Sequence, residues 1–225
     1  MQNNFMNLIH GSVLFAGITT RETEKMLACL NAKQAKYQKN EYILRAGETN
    51  GYVLLLLQGG VCIVQEDFWG NRNIISKIVP GDIFAEAFAC VPGARLSVSV
   101  TAEIKSTVLF LDIGRILTPC GASCPFHGRA VQNLVACLAG KNLHLTEKLT
   151  HITQRTTREK LLSFLSAESI RQGASEFNIP YNRQQLADYL SVDRSAMSAE
   201  LCRLRDEGVL VFHKNRFELL VESGR

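Results

Sequence analysis

Residues 41–113 alternate short apolar runs with polar turn signals: YILRAGET, YVLLLLQGG, VCIVQED, IISKIVPGD, LSVSVTAE and TVLFLD. The turns fall at Gly47, Gly59–Gly60, Gly70–Asn71 and Gly81–Asp82. Short, regularly spaced strands separated by glycine turns predict a sandwich or barrel. Within this region LSVSVT alternates every second residue, as a half-buried strand does. Ahead of it TTRETEKMLACL, residues 19–30, has helical spacing.

The period changes after Pro119. From Pro125 to Gln154 the apolar positions Val131, Leu134, Leu138, Leu145, Leu149 and Ile152 follow helical steps, with Lys141 interrupting. This predicts a long helix with Pro125 at its first position, weakened by Gly128 and Gly140. So narrow a stripe suits a seam with a second helix through Val131, Leu134, Leu138, Leu145 and Leu149. Packing against the chain's own β region is the alternative.

Thr156 opens the next helix, with Glu159 at the return position of a capping box. LLSFLSAESI continues it, Gly173 stops it, and a short FNIPY segment leads to Asn182. The segment NRQQLADYLSVDRSAMSAELCRLRDEGVL, residues 182–210, then carries the strongest signal in the chain. Asn182 and Gln185 make a second capping pair. Leu186, Ala187 and Leu190 give one apolar face, and small Ala187 lets a second helix cross closely. Ser191, Val192 and Asp193 form a three-residue turn with Val192 buried, and Asp193 can cap the second helix. Met197, Leu201 and Leu204 face the first helix, and Gly208 ends the second. This is a helix-turn-helix. VLVFH, a Lys214–Asn215 turn and RFELL form a hairpin behind it, which reads as a wing. On the exposed face of the second helix lie Arg194, Ser195, Ser198 and Ala199, and Arg183 and Gln184 begin the first. These are phosphate-binding and base-reading side chains, and the wing adds Lys214. Arg203 and Arg205 read as solvated surface.

Composition narrows the classes further. Hydrophobic residues make up 46% and charged residues 20% of 225 residues, a folded composition. No apolar run approaches the roughly 20 residues of a membrane span. The N-terminal MQNNFMNLIHGS lacks the basic and apolar regions of a secretory signal. Seven scattered cysteines suit a reducing cytoplasm. The net charge of +4 is spread along the chain. Residues 151–225 hold eleven Lys and Arg against ten Asp and Glu. Bulk charge therefore does not mark a nucleic-acid binder, and local patterning has to.

With this organisation the chain resembles the Crp/Fnr family of bacterial transcription regulators, over nearly its whole length. RQQLADYLSVDRSAMSAEL carries the resemblance most strongly, and Gly47, Gly59 and Gly81 match the family's β-roll glycines. The resemblance implies an α+β chain: a jelly-roll-like β-roll sensor over residues 1–124, a dimerisation helix over 125–154, and a winged helix-turn-helix over 155–225. It implies a homodimer, a pseudo-palindromic operator in double-stranded DNA, RNA polymerase as a partner, and a small-molecule effector. Arg194, Ser195 and Ser198 then occupy base-reading positions. The family often has arginine where this chain has Ala199, so the operator should differ there.

For the effector, the family's nucleotide-binding members have a Gly-Glu pair, then an Arg followed by a small or hydroxylated residue. This chain has Ala85-Glu86 and Arg95-Leu96, and Leu145–Thr146 on the long helix where a purine would be read. Cyclic nucleotide is the ligand the resemblance offers. Ala85 holds backbone away from a phosphate and Leu96 adds bulk, so a less polar effector, or none, is expected.

The residues leave three other readings open. Cys120, Cys124 and His127 precede and open the long helix, which would suit a thiol- or metal-responsive switch. The spacing matches no standard zinc pattern, so no metal is assigned and the cysteines read as reduced. Residues 1–28 hold none of the N-terminal cysteines of the family's iron–sulfur sensors. A module that has lost DNA readout conflicts with Arg183, Gln184 and Arg194. An enzyme of the cupin kind needs histidines on barrel strands. His10, His127, His144, His151 and His213 all lie outside the β region, so no catalytic residue is assigned.

Overall fold

A computed structural model describes residues 5–66, 72–118 and 125–220. The chain divides into two compact units, Met1–Gly140 and Lys141–Arg225.

In the first unit α1 (Met6–His10) and α2 (Thr20–Cys29) precede the strands. Thr19 caps α2, its hydroxyl and amide both donating to the Glu22 carboxylate. The strands are β1 (Lys33–Tyr37), β2 (Tyr42–Leu44), β3 (Tyr52–Gln58), β4 (Val61–Glu66), β5 (Arg72–Ile78), β6 (Ile83–Phe84), β7 (Ser99–Ala102) and β8 (Ser106–Asp112). They form two antiparallel four-stranded sheets, ordered β1-β8-β3-β6 and β2-β7-β4-β5. Two short helices, α3 (Glu86–Ala89) and α4 (Ile113–Leu117), interrupt and close this region.

Strand β3 shows why YVLLLLQ is apolar on both faces. Leu54 and Leu56 enter one buried cluster with Val61, Phe84, Val100 and Val108. Val53, Leu55 and Leu57 enter another with Leu14, Phe15, Met26 and Leu30 from the N-terminal helical segments. Burying each such side chain contributes roughly 1.5–3 kcal/mol. At the β3–β4 turn Gly59 has φ +98°, and a Cβ there would lie 2.5 Å from the Lys105 carbonyl oxygen. Only glycine fits that turn.

The long helix α5 spans Pro125–Ile152, close to the expected range. The unit boundary falls inside it, at Gly140. Its first half corrects one expectation. Leu134 is only 1% exposed and lies in the core of the first unit with Ala130, so it is an interior residue and not a seam residue. Asn133 sets that face: its side-chain amide donates to the Leu14 and Ala16 carbonyls at 3.0 and 2.8 Å. Val131 and Leu138 pack partly on the same core. Leu145 and Leu149, by contrast, are more than half exposed.

The second unit adds α6 (Thr157–Gln172), β9 (Glu176–Asn178), α7 (Arg183–Leu190), α8 (Arg194–Asp206), β10 (Leu210–His213) and β11 (Arg216–Leu219). Thr156 and Glu159 form the expected capping box of α6, and Gly173 ends it in the left-handed region. The FNIPY segment supplies part of β9, which pairs with β11 beside the β10–β11 hairpin. One core joins Leu161, Phe164 and Leu165 of α6 to Leu186, Ala187 and Leu190 of α7, Met197, Leu201 and Leu204 of α8, and Phe217 of the wing. Val192 packs on it half-buried, not fully buried as expected. His151, the last buried residue of α5, joins its Nδ1 to the Ser163 hydroxyl at 2.8 Å, and burial lowers its pKa.

Candidate nucleic-acid interface

The interface is built by two capped helices and a tight turn between them. Asn182 accepts the Gln185 amide at 3.0 Å, and the Gln185 side chain returns to the Asn182 amide at 2.8 Å. The chain leaves α7 through Ser191 in the left-handed region. Asp193 then caps α8, accepting the Ala196 amide at 2.8 Å and the Ser195 hydroxyl. Both bonds hold the Asp193 carboxyl below its ordinary pKa, the serine contact first. An Asp cap at a helix N-terminus also complements the helix dipole.

With Met197, Leu201 and Leu204 fully buried, the opposite side of α8 is free. Arg194, Ser195 and Ala199 are exposed, and Ser198 is half-buried. No ion pair or hydrogen bond engages the Arg194 guanidinium among the described residues. The Ser198 hydroxyl donates to the Arg194 carbonyl at 2.8 Å. Gln184 is exposed and donates to Asp188 at 2.8 Å. Lys214 stands exposed at the hairpin tip with φ +51°.

Arg183 has a different setting from the one expected. Its guanidinium lies over the rings of Phe212 and Phe217, at 4.9 and 5.1 Å from the ring centres. It is half-buried, and the loss of water lowers its pKa. Arg183 therefore fastens the start of α7 to the wing through cation–π contact. The sequence signal was available as Arg183 with the aromatic positions of VLVFH and RFELL, but the pairing needs the third dimension. Sequence reading also missed the stacked Tyr181 and Tyr189, 5.1 Å apart, with Phe164 5.4 Å from Tyr189. Burial pushes the Tyr189 phenol up to about 12.

The effector candidates of the first unit fall at two places, Ala85 and Glu86 at a strained turn and Arg95 and Leu96 against residues 47–49. Ala85 has φ +61°, in the left-handed region where glycine is favoured, and precedes buried Glu86 at the start of α3. Asn50, which sequence reading missed, braces this turn. Its side chain exchanges bonds with the Tyr52 backbone at 2.7 and 3.1 Å and reaches the Ala85 carbonyl at 3.5 Å. Arg95 is exposed, and its guanidinium donates to the Gly47 carbonyl at 2.8 Å. Leu96 is buried and pairs by backbone with Gly47 and Glu48. Leu145 and Thr146 belong to the second unit; both are exposed, and the Thr146 hydroxyl is spent on the Asn142 carbonyl at 3.0 Å. Cys120 and Cys124 lie outside the described residues. His127 is buried, and neither ring nitrogen is hydrogen-bonded among the described residues.

Comparison with known proteins agrees with this geometry. Residues 34–118 match the cyclic nucleotide-binding domain family, and residues 159–223 match the Crp-like helix-turn-helix domain family. The chain is 20% identical over 213 residues to the transcriptional activator protein FnrL of Cereibacter sphaeroides, covering 84% of this chain and 77% of that protein. The catabolite activator protein of Thermus thermophilus superposes with a TM-score of 0.51, at 22% identity over 92% of this chain and 93% of that one. The c-di-GMP-responsive regulator CLP of Xanthomonas campestris gives 0.53, at 17% identity over 88% and 98%. A nucleotide-binding-type β-roll followed by a helix-turn-helix defines a DNA-binding transcription regulator. The chain belongs to the Crp/Fnr family, a family of regulators and not of enzymes. Among the described residues no helix is long and apolar enough to cross a membrane.

Proposed function

We propose that the protein is a cytoplasmic, homodimeric, sequence-specific regulator that lays α8 of each copy in the major groove of a pseudo-palindromic operator. The observation that carries this reading is exposed Arg194 at the capped first position of α8, its guanidinium in no ion pair or hydrogen bond among the described residues. RNA polymerase is the further partner that family membership supports.

A seam on α5 supports dimerisation. Val135, Leu138, Asn142, Leu145 and Leu149 recur at steps of three and four, and Val135, Leu145 and Leu149 are more than half exposed. Val135 thus replaces Leu134 in the seam. Asn142 supplies the single polar position that sets register in paired helices. A symmetric dimer reads half-sites about one helical turn, ~34–36 Å, apart. Binding-site selection from random duplexes is expected to enrich a dyad-symmetric sequence with that spacing. Enrichment of no dyad would overturn the reading.

The β-roll is proposed as the effector domain, for a ligand less polar than a cyclic nucleotide. Three features of the cradle support this. Ala85 keeps its Cβ where phosphate-binding backbone would have to approach, Leu96 is buried, and one N–H of Arg95 is already bonded to Gly47. Cyclic AMP at millimolar concentration is therefore expected to leave the melting temperature unchanged. A ligand at 100 times its dissociation constant would stabilise by about 2.7 kcal/mol. A clear upward shift that Arg95→Ala removes would show an intact nucleotide site.

A further inference from the structure

Ala199 lies at the centre of the face that α8 offers to DNA. Taking about 100° per residue, Met197, Leu201 and Leu204 mark the buried side. Ala199 and Ser195 then fall within about 30° of the direction opposite to it. Both are exposed, and four residues separate them, or about 6 Å along the axis. That is close to two base-pair steps of ~3.4 Å.

The chemistry of this face is unusual in what it lacks. The Ser195 proton is held by the Asp193 carboxylate, which also caps the helix. The outward side of the Ser195 oxygen therefore carries lone pairs only. In the major groove the groups that donate to such an acceptor are the amino groups of adenine and cytosine. Ala199 has neither donor nor acceptor. The one apolar group on a major-groove base edge is the 5-methyl of thymine. A methyl side chain at the centre of the face can pair with it and with nothing else there. Bases that present only polar edges would lose water against Ala199 and gain no hydrogen bond in return.

We propose that Ala199 selects thymine in each half-site through its 5-methyl group. The Ser195 lone pair selects an amino-bearing base about two steps away. The proposal rests on the DNA-binding reading above and names what that same helix reads.

The test uses the full chain and the dyad sequence found by selection. Each thymine of a half-site is replaced in turn by deoxyuridine, which removes the methyl and nothing else, and affinity is measured by fluorescence anisotropy. One position per half-site is expected to lose about fourfold, the effect of one buried methyl-sized group. Ala199→Gly should remove that sensitivity. Ala199→Arg, which keeps a good helix former, should shift a repeated selection from thymine to guanine at that position. A dyad whose thymines all accept deoxyuridine without loss would overturn the thymine assignment while leaving the DNA-binding reading intact. Sensitivity that persists unchanged in Ala199→Gly would overturn it too. Selection of no dyad at all would instead sink the DNA-binding reading.

Discussion

Arg194→Ala will lower the ratio of operator to random-DNA affinity by roughly 5- to 150-fold per half-site. An arginine reaching the guanine edge contributes about 1–3 kcal/mol of discrimination, and each 1.4 kcal/mol is about tenfold. Arg194 suits that role because no carboxylate competes for it among the described residues, and the Asp193 cap fixes the backbone from which it reaches. Competition titrations against operator and random duplexes at one salt concentration measure the ratio. An equal loss on both DNAs would make Arg194 a phosphate clamp and not a reader.

Leu134→Ala will lower the melting temperature of the first unit by on the order of 10 °C. Truncating a fully buried leucine costs about 2–5 kcal/mol, and a unit of this size shifts several degrees per kcal/mol. Leu134 sits among Leu14, Phe15, Ala130 and Ile116, where little rearrangement can fill the void. The sedimentation coefficient should stay that of a dimer. The paired substitution Leu145→Glu with Leu149→Glu should do the reverse, giving monomers with little loss of thermal stability, since both side chains already face water. Monomers from Leu134→Ala, or dimers from the glutamate pair, would move the interface elsewhere.

The helix-turn-helix was legible because its signals are local. Asn182 with Gln185, Asp193, and the leucine spacing of α7 and α8 each act within one helical turn, and each holds in the structure. The glycine turns at Gly47, Gly59 and Gly81 were legible for the same reason, since all three have positive φ. Strand β1 was not, because KQAKY has only Ala35 and Tyr37 as apolar positions, too short an alternation to read, and its pairing with β8 joins residues more than sixty positions apart. Leu134 was misplaced because a helical stripe records which residues are apolar and not what covers them. Deciding that needed Asn133 and the carbonyls of Leu14 and Ala16. Arg183 and Asn50 were similarly hidden, since their partners lie far along the chain.

The ion pairs of the second unit set the character of its grip on DNA. Arg158 is held by Glu200 and Glu207, Arg171 by Glu168, Arg203 by Glu200, Arg205 by Asp206, and Arg216 by Glu176. Arg183 is turned onto the wing rings. A cation already paired with a carboxylate contributes less to counterion release when a phosphate approaches, since the carboxylate must be given up or stay beside the phosphate. Such a surface gains little from the ionic term that holds most regulators loosely on any duplex. A shallow dependence of affinity on ionic strength is therefore expected, with the remaining ionic contacts coming from Arg194 and from Lys214 at the wing tip.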